Sequence, residues 1–312
     1  MQVTAAFAPR NGNPGIVPPH LTTPLPEPVV AAPAAPSAPP VSTFSGRVVL
    51  VPARLVREMR ERPAARGGSE QAAAEQAVRG AQEFFRGLGV SDRHGNDNEI
   101  DVMIEPRFSN AGFIAGDDAR KMGVGNGRDL MIVGNSPATG ESFAFDKDVV
   151  RHEYSHRIVD SMLDLGHEGE QGAMHESLAD TFAAAMDDDW TIGEASTPGG
   201  MRDMLNPERF GDPGHVREFV RTSKDKGGVH SNNGIPNKAA ALIGEQLGRP
   251  AMAQIYIDAM ANHMTSRSGI VDTAKATLLA AADRFGKSSQ ELGAVQQAWD
   301  AVGVLDILKR KR

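Results

Sequence analysis

Residues 149–180 read VVRHEYSHRIVDSMLDLGHEGEQGAMHESLAD, and this stretch decides the fold. It opens with His152-Glu153-Tyr154-Ser155-His156, an HExxH pentad, and closes on His175-Glu176-Ser177-Leu178-Ala179-Asp180. Residues four apart share one face of a helix, so His152 and His156 can aim two imidazoles at one point. Glu153 then lies beside that point, within reach of a water activated there. A catalytic zinc takes three protein ligands and keeps one position open. Glu176, on a second apolar-periodic segment after the turn at Gly166 and Gly172, is the candidate third ligand. Val149, Val150, Ile158, Val159 and Met162 give the first segment an apolar face. Asp146 or Asp148 can cap it, and Gly166 can end it. The competing reading is a surface helix that happens to carry two histidines.

The rest of the chain narrows the class. Its 312 residues allow a large core in one large or two ordinary domains, with 40% hydrophobic and 23% charged residues. A dispersed net charge of −7 points away from nucleic acid. The basic Lys309-Arg310-Lys311-Arg312 end reads as a solvated tail. With no cysteine there is no disulfide framework, no Cys-ligated zinc and no cysteine nucleophile. No apolar run is long enough to span a membrane. The N-terminus lacks the apolar core of a signal peptide, which is compatible with the cytoplasm or a non-standard export route.

Residues 1–43 are rich in Pro and Ala and form a leader, read either as a linker or as a pro-segment. RVVLVPARLV (47–56) is a strand candidate interrupted by Pro52. Residues 69–88 are helical, with Ser69 as cap and Ala73, Ala77, Ala81, Phe84 and Phe85 as the buried stripe. EIDVMIEPRF and DLMIVGN are strands, separated by a Gly-, Asp- and Asn-rich loop over 111–128. Past His156 the pattern is helical over 172–186, 237–247, 251–264, 270–285 and 288–302, with Gly248 and Gly286 as stops. The expected architecture is α+β and two-lobed. A β-rich lobe over 44–155 ends in the HExxH helix, and a helical lobe over 156–312 follows, with the site at their junction.

Two further stretches carry polar residues that packing does not need. One runs from Met201-Arg202-Asp203-Met204 to Asp212; the other is Asp225-Lys226-Gly227-Gly228-Val229-His230. Taken singly, His230 can be a satisfied loop histidine and Arg202 a surface ion pair. Together with HEYSH, GAMHESLAD, DWTIGE (189–194), MRDMLNPERFGDPGH (201–215), DKGGVHSNNGIPNKAA (225–240) and SSQELGAVQQAWDAVGV (288–304), they resemble a thermolysin-family (M4) metallopeptidase over about residues 44–305. The leader's Ile16-Val17-Pro18-Pro19-His20-Leu21 is similar to the PPxL element of the protealysin-like branch.

That resemblance implies a two-lobed zincin fold and a set of roles. His152, His156 and Glu176 would bind zinc, and Glu153 would be the general base. Asp180 would hold the far nitrogen of His152, and His175 would support His156 in place of the family's asparagine. His230, held by Asp225, would donate to the oxyanion. Arg202 would bind a substrate carbonyl and brace Glu176. Asn110 and Ala111 resemble the substrate-binding strand, and Val149, Ile192 and Met201 resemble walls of the apolar pocket after the scissile bond. His167 stands where the family has a tyrosine that helps bind the oxyanion. Asp148, Asp187, Asp189 and Glu194 match calcium ligands, with one calcium expected. The implied activity is a zinc-dependent endopeptidase cutting protein or peptide substrates before bulky apolar residues, as a monomer. The alternative is a zinc-stabilised binding protein impaired by the changes at His167 and His175.

Overall fold

The computed structural model describes residues 68–90, 100–124 and 127–309, together with Arg57. The leader over 1–43, the strand candidate over 47–56 and the basic tail beyond Lys309 lie outside the described residues.

The first helix, α1, spans Ser69–Gly87 and buries Ala74, Ala77, Val78, Ala81 and Phe85. Ala73 and Phe84, expected in that stripe, are only partly buried. Gly68 rather than Ser69 occupies the cap position, and no side chain caps the helix. Strands β1 (Asp101–Ile104), β2 (Ala111–Ile114) and β3 (Leu130–Val133) form one sheet in the order β1-β3-β2. β1 runs parallel to β3 and β2 antiparallel to it, with Ala111 opposite Val133.

The loop expected over 111–128 is therefore wrong in its first half. Ala111–Ile114 is β2, and Gly116–Met122 is a short helix, α2. Phe113, Met131 and Val133 face the main core, whereas Ile114, Leu130 and Ile132 pack into a second cluster with Phe108, Ala119 and Val124. A strand buried on both faces shows no polar alternation, so four apolar residues passed for loop. Asp117 and Asp118 at the start of α2, Arg120 and Lys121 at its end, and left-handed Gly123 closing it all favour the helix.

The pentad helix, α3, spans Lys147–Leu163. Asp146 is the cap: its Oδ1 accepts from the Val149 amide at 3.4 Å, and its Oδ2 takes the amide and hydroxyl of Ser196. The helix stops at Asp164, which is left-handed at φ 49°, two residues before the expected Gly166. Helix α4 (Gly169–Ala185) packs along α3, while α1 and β2 pack elsewhere on it. Phe85 of α1 meets both Tyr154 of α3 and Phe182 of α4. The pair α3 and α4 is thus buried on nearly every side, which removes the clean amphipathic face expected of α3.

A two-stranded ribbon follows, β4 (Thr191–Ile192) with β5 (Arg202–Asp203). Then come α5 (Asp225–Asn232), α6 (Gly234–Leu247), α7 (Arg249–Asn262), α8 (Ile270–Phe285), α9 (Gln290–Ala301) and α10 (Val304–Lys309). Four of these match expected helices to within three residues at each end. Trp299 locks α9 onto α8, fully buried with its Nε1–H donating to Thr277 Oγ1 at 2.8 Å. The fold is α+β, with a small three-stranded sheet before the pentad and helices after it, as expected; the β4–β5 ribbon within the helical part was not expected.

Candidate metal centre

Helices α3 and α4 bring the first three candidates together. His152 Nε2 lies 3.0 Å from His156 Nε2 and 3.4 Å from Glu176 Oε2, and His156 Nε2 lies 3.7 Å from that same oxygen. All three residues are buried. Two donors held at about 2.0–2.1 Å by a tetrahedral ion sit roughly 3.3 Å apart, so these spacings suit one small cation. Glu176 Oε2 is buried with no hydrogen bond, and two bare imidazole nitrogens at 3.0 Å repel unless a cation or proton lies between them. The donor set fits zinc.

Each histidine is oriented from behind. His152 Nδ1 lies 2.8 Å from Asp180 Oδ1. Asp180 is a hub: its two oxygens also accept from Arg202 Nε and Nη2 at 2.8 and 2.6 Å and from the Asn233 and Asn237 amides at 3.0 and 2.8 Å. Burial would raise its carboxyl, but Arg202 and His152 overcome this and hold it at about 2. An ionised Asp180 can only accept, so His152 carries its proton on Nδ1 and leaves Nε2 to aim at the ion. Burial also disfavours charge on His152, yet Asp180 and Glu176 raise it to about 9, so binding an ion there displaces a proton.

The second histidine has a different support. His156 Nδ1 is 2.9 Å from His175 Nδ1, and His175 Nε2 is 3.0 Å from Asp160 Oδ1. With Asp160 accepting, His175 holds its proton on Nε2 and receives one from His156 Nδ1, which frees His156 Nε2 for the ion. Burial, ahead of the neighbouring charges, pushes the His156 imidazole well below its usual range.

Glu153 is fully buried, and neither of its oxygens has a hydrogen bond. Burial pushes its carboxyl up to about 7 against the pull of His152, Arg202 and the Phe113 amide of β2. Glu176 is the contrast. Burial would raise it too, but His230, His156 and His152 hold it well below the usual carboxylate range. Two neighbouring carboxyls are thus driven apart, one toward proton exchange and one toward permanent charge.

His230 enters from α5, with Nε2 buried, unbonded and 3.5 Å from Glu176 Oε2. Asp225 Oδ1 lies 2.7 Å from its Nδ1, and Oδ2 accepts its amide at 2.9 Å. Asp225, Lys226, Gly227 and Gly228 have φ of 49°, 51°, 99° and 76°, a left-handed run that turns the chain so that this grip closes. Arg202 spends its fork on Asp180, and its charge bears on Glu176 as well. Its neighbour Asp212 is pushed up to about 7 by burial.

The remaining candidates are placed as follows. Ala111 starts the edge strand β2, and the Asn110 carbonyl accepts the Gly134 amide at 2.9 Å. Val149 and Ile192 are buried, and Met201 is partly buried against the same core. His167 packs edge-on against His175, with its Nε2 3.6 Å from Asp160 Oδ1. Asp148, Asp187 and Glu194 bring ligand atoms within 4.8 Å of one another. Asp189 is outside this group, and its Oδ1 accepts the Thr191 amide at 2.7 Å. Burial, with Asp187 and Glu194 beside it, pushes Asp148 up to about 9. Asp160, Asn233 and Asn237 were not singled out in the sequence. Asp160 alone left a signal, one turn beyond His156 on the ligand face.

Residues 163–304 match the family model described as the thermolysin metallopeptidase, alpha-helical domain. The chain is 37% identical over 220 residues to an extracellular elastase of Staphylococcus epidermidis, covering 68% of this chain and 42% of that protein. It is 39% identical over 173 residues to a bacillolysin of Brevibacillus brevis, covering 50% of this chain and 33% of the relative. A thermolysin of Alicyclobacillus acidocaldarius is 34% identical over 200 residues, covering 57% and 37%. The chain therefore spans less than half the length of these relatives. Among solved structures, the precursor of protealysin from Serratia proteamaculans shares the fold, with a TM-score of 0.65 at 24% identity over 78% of this chain and 81% of that one. The buried two-histidine, one-glutamate centre defines a thermolysin-like metal site. The chain belongs to the thermolysin (M4) family of metallopeptidases, and family and donor set together imply zinc.

Proposed function

We propose that this chain hydrolyses peptide bonds as a zinc-dependent endopeptidase. The observation that carries the reading is Glu153: a buried, unbonded carboxyl pushed up to about 7, next in sequence to one zinc-ligand histidine on the helix that carries both. Zinc held by His152, His156 and Glu176 would supply a Lewis acid that polarises the scissile carbonyl and acidifies water. Glu153 then takes a proton from the attacking water and returns it to the leaving amine, a task suited to a base poised near neutrality. His230 faces the metal-ligating Glu176 and is gripped by Asp225, which fits a donor to the oxyanion. Asp180 and Arg202 position the ligands. Edge strand β2 lies against α3 with the Phe113 amide near Glu153, which suits pairing of an extended substrate beside the base. The apolar Val149, Ile192 and Met201 support a preference for a bulky apolar residue after the cut. The trio Asp148, Asp187 and Glu194 suits one calcium, without Asp189.

The direct test is Glu153→Gln, assayed on casein and on a peptide library. Turnover should fall on the order of 10²- to 10⁴-fold while the zinc content stays unchanged. Undiminished cleavage would remove Glu153 from the role of base.

A further inference from the structure

Behind the metal centre, on the far side of His156, lies a second convergence of donors, none of which touches the first ion's position. Asp160, His167 and His175 each place a ligand atom within 4.8 Å of the others. His175 Nε2 is 3.0 Å and His167 Nε2 is 3.6 Å from the same oxygen, Asp160 Oδ1. These values straddle the roughly 3.3 Å expected between neighbouring ligands of a tetrahedral zinc. The donor types, two imidazoles and a carboxylate, repeat those of the first site. The side chains of His167 and Asp160 keep 18% and 11% exposure while His175 has 1%, so the cluster lies nearer the surface than the first site. We infer that Asp160, His167 and His175 form a second site for a divalent transition-metal ion, zinc by its donors, weaker than the first and antagonistic to it.

The antagonism follows from one hydrogen bond. With zinc on His156 Nε2, the His156 proton sits on Nδ1 and is donated to His175 Nδ1 across 2.9 Å. An ion can bind His175 Nε2 only in the tautomer whose single proton sits on Nδ1, so the proton given up at Nε2 is matched by one taken up at Nδ1, with no net release. Two N–H groups would then face each other, and the bond that orients His156 is lost. Each ion therefore weakens the other, on the order of ten- to a hundredfold for a coupling of ordinary size. The inference stands apart from the peptidase reading, because metal counting alone decides it.

The experiment is equilibrium dialysis of the full chain against rising free zinc, with calcium in excess to occupy the Asp148, Asp187 and Glu194 group, and bound metal counted by mass spectrometry. Two steps are expected, one tight and one at free zinc on the order of ten- to a hundredfold higher or beyond. His167→Gln should keep the first step and lose the second; Asp160→Asn should lose the second as well, with the first weakened because Asp160 also orients His175 behind His156. Exchange of the tight ion for isotopically labelled zinc should speed up once the second step fills in the natural chain, and not in His167→Gln. Binding that stays at one ion per chain through millimolar free zinc would overturn the inference and leave the cluster as a hydrogen-bonded support for His156. A second step that survives both substitutions would place the extra ion elsewhere and overturn it equally. Loss of both steps in both variants would join the residues into one site and refute a separate one.

Discussion

At the scale of single residues, environment separates groups of the same chemical type. Glu153 and Glu176 are both fully buried, yet one carboxyl is raised to about 7 and the other held well below its usual range. The difference is company: Glu176 faces three imidazoles, whereas on Glu153 burial outweighs the pull of His152, Arg202 and the Phe113 amide. As a base Glu153 must be ionised, so activity should rise with pH as it loses its proton. A divalent ion nearby draws that value down, placing the acid limb of kcat/KM at or below about 7. A pH profile of kcat/KM checks this, and activity that rises as pH falls below about 7 would contradict it. The pentad and GAMHESLAD made the ligands, the base and Asp180 legible, because spacing on helices fixes which side chains meet. The Asp160, His175 and His167 chain was not legible as a unit. Its coherence depends on a turn whose path no periodicity specifies.

At the scale of elements, the site depends on how closely α4 approaches its neighbours. A Cβ on Gly172 would sit 2.6 Å from the His167 carbonyl carbon and 2.6 Å from Val229 Cγ1. Glycine at this point lets the turn before α4 and the start of α5 close over the metal ligands. Gly172→Ala should cost about 1–3 kcal/mol by overpacking and also loosen the metal site. Denaturant unfolding and zinc affinity would show both effects; a substitution neutral in each would mean that the contact is slack. Reading the sequence placed the later helices, because caps and glycine stops are local. It missed β2 and α2, since a strand buried on both faces carries no alternation and a short helix offers little period. The end of α3 was misjudged by two residues, as Asp164 takes the left-handed position expected of Gly166.

For the whole molecule, the buried charge network ties stability to pH and to metal. Asp180 has its carboxyl lowered from 3.8 to about 2, so the stability it contributes is complete above about pH 4 and is lost as pH falls toward 2. That amounts to about 2 kcal/mol. Asp180→Asn should flatten this part of the stability-against-pH curve, read from urea midpoints at pH 5 and pH 3. An unchanged slope would locate the acid sensitivity elsewhere. A small sheet before the pentad and helices after it were both readable from the sequence, and the core that joins them through α3 and α4 follows from two helices buried on nearly all sides. Among the described residues no helix is long and apolar enough to cross a membrane.

The central claim is that His152, His156 and Glu176 hold one zinc. Anomalous diffraction at the zinc edge, from crystals of the full chain carrying one equivalent of zinc, tests it most directly. The account predicts a single strong peak between the two Nε2 atoms and the Glu176 carboxylate. A peak elsewhere, or none at that point, would contradict it.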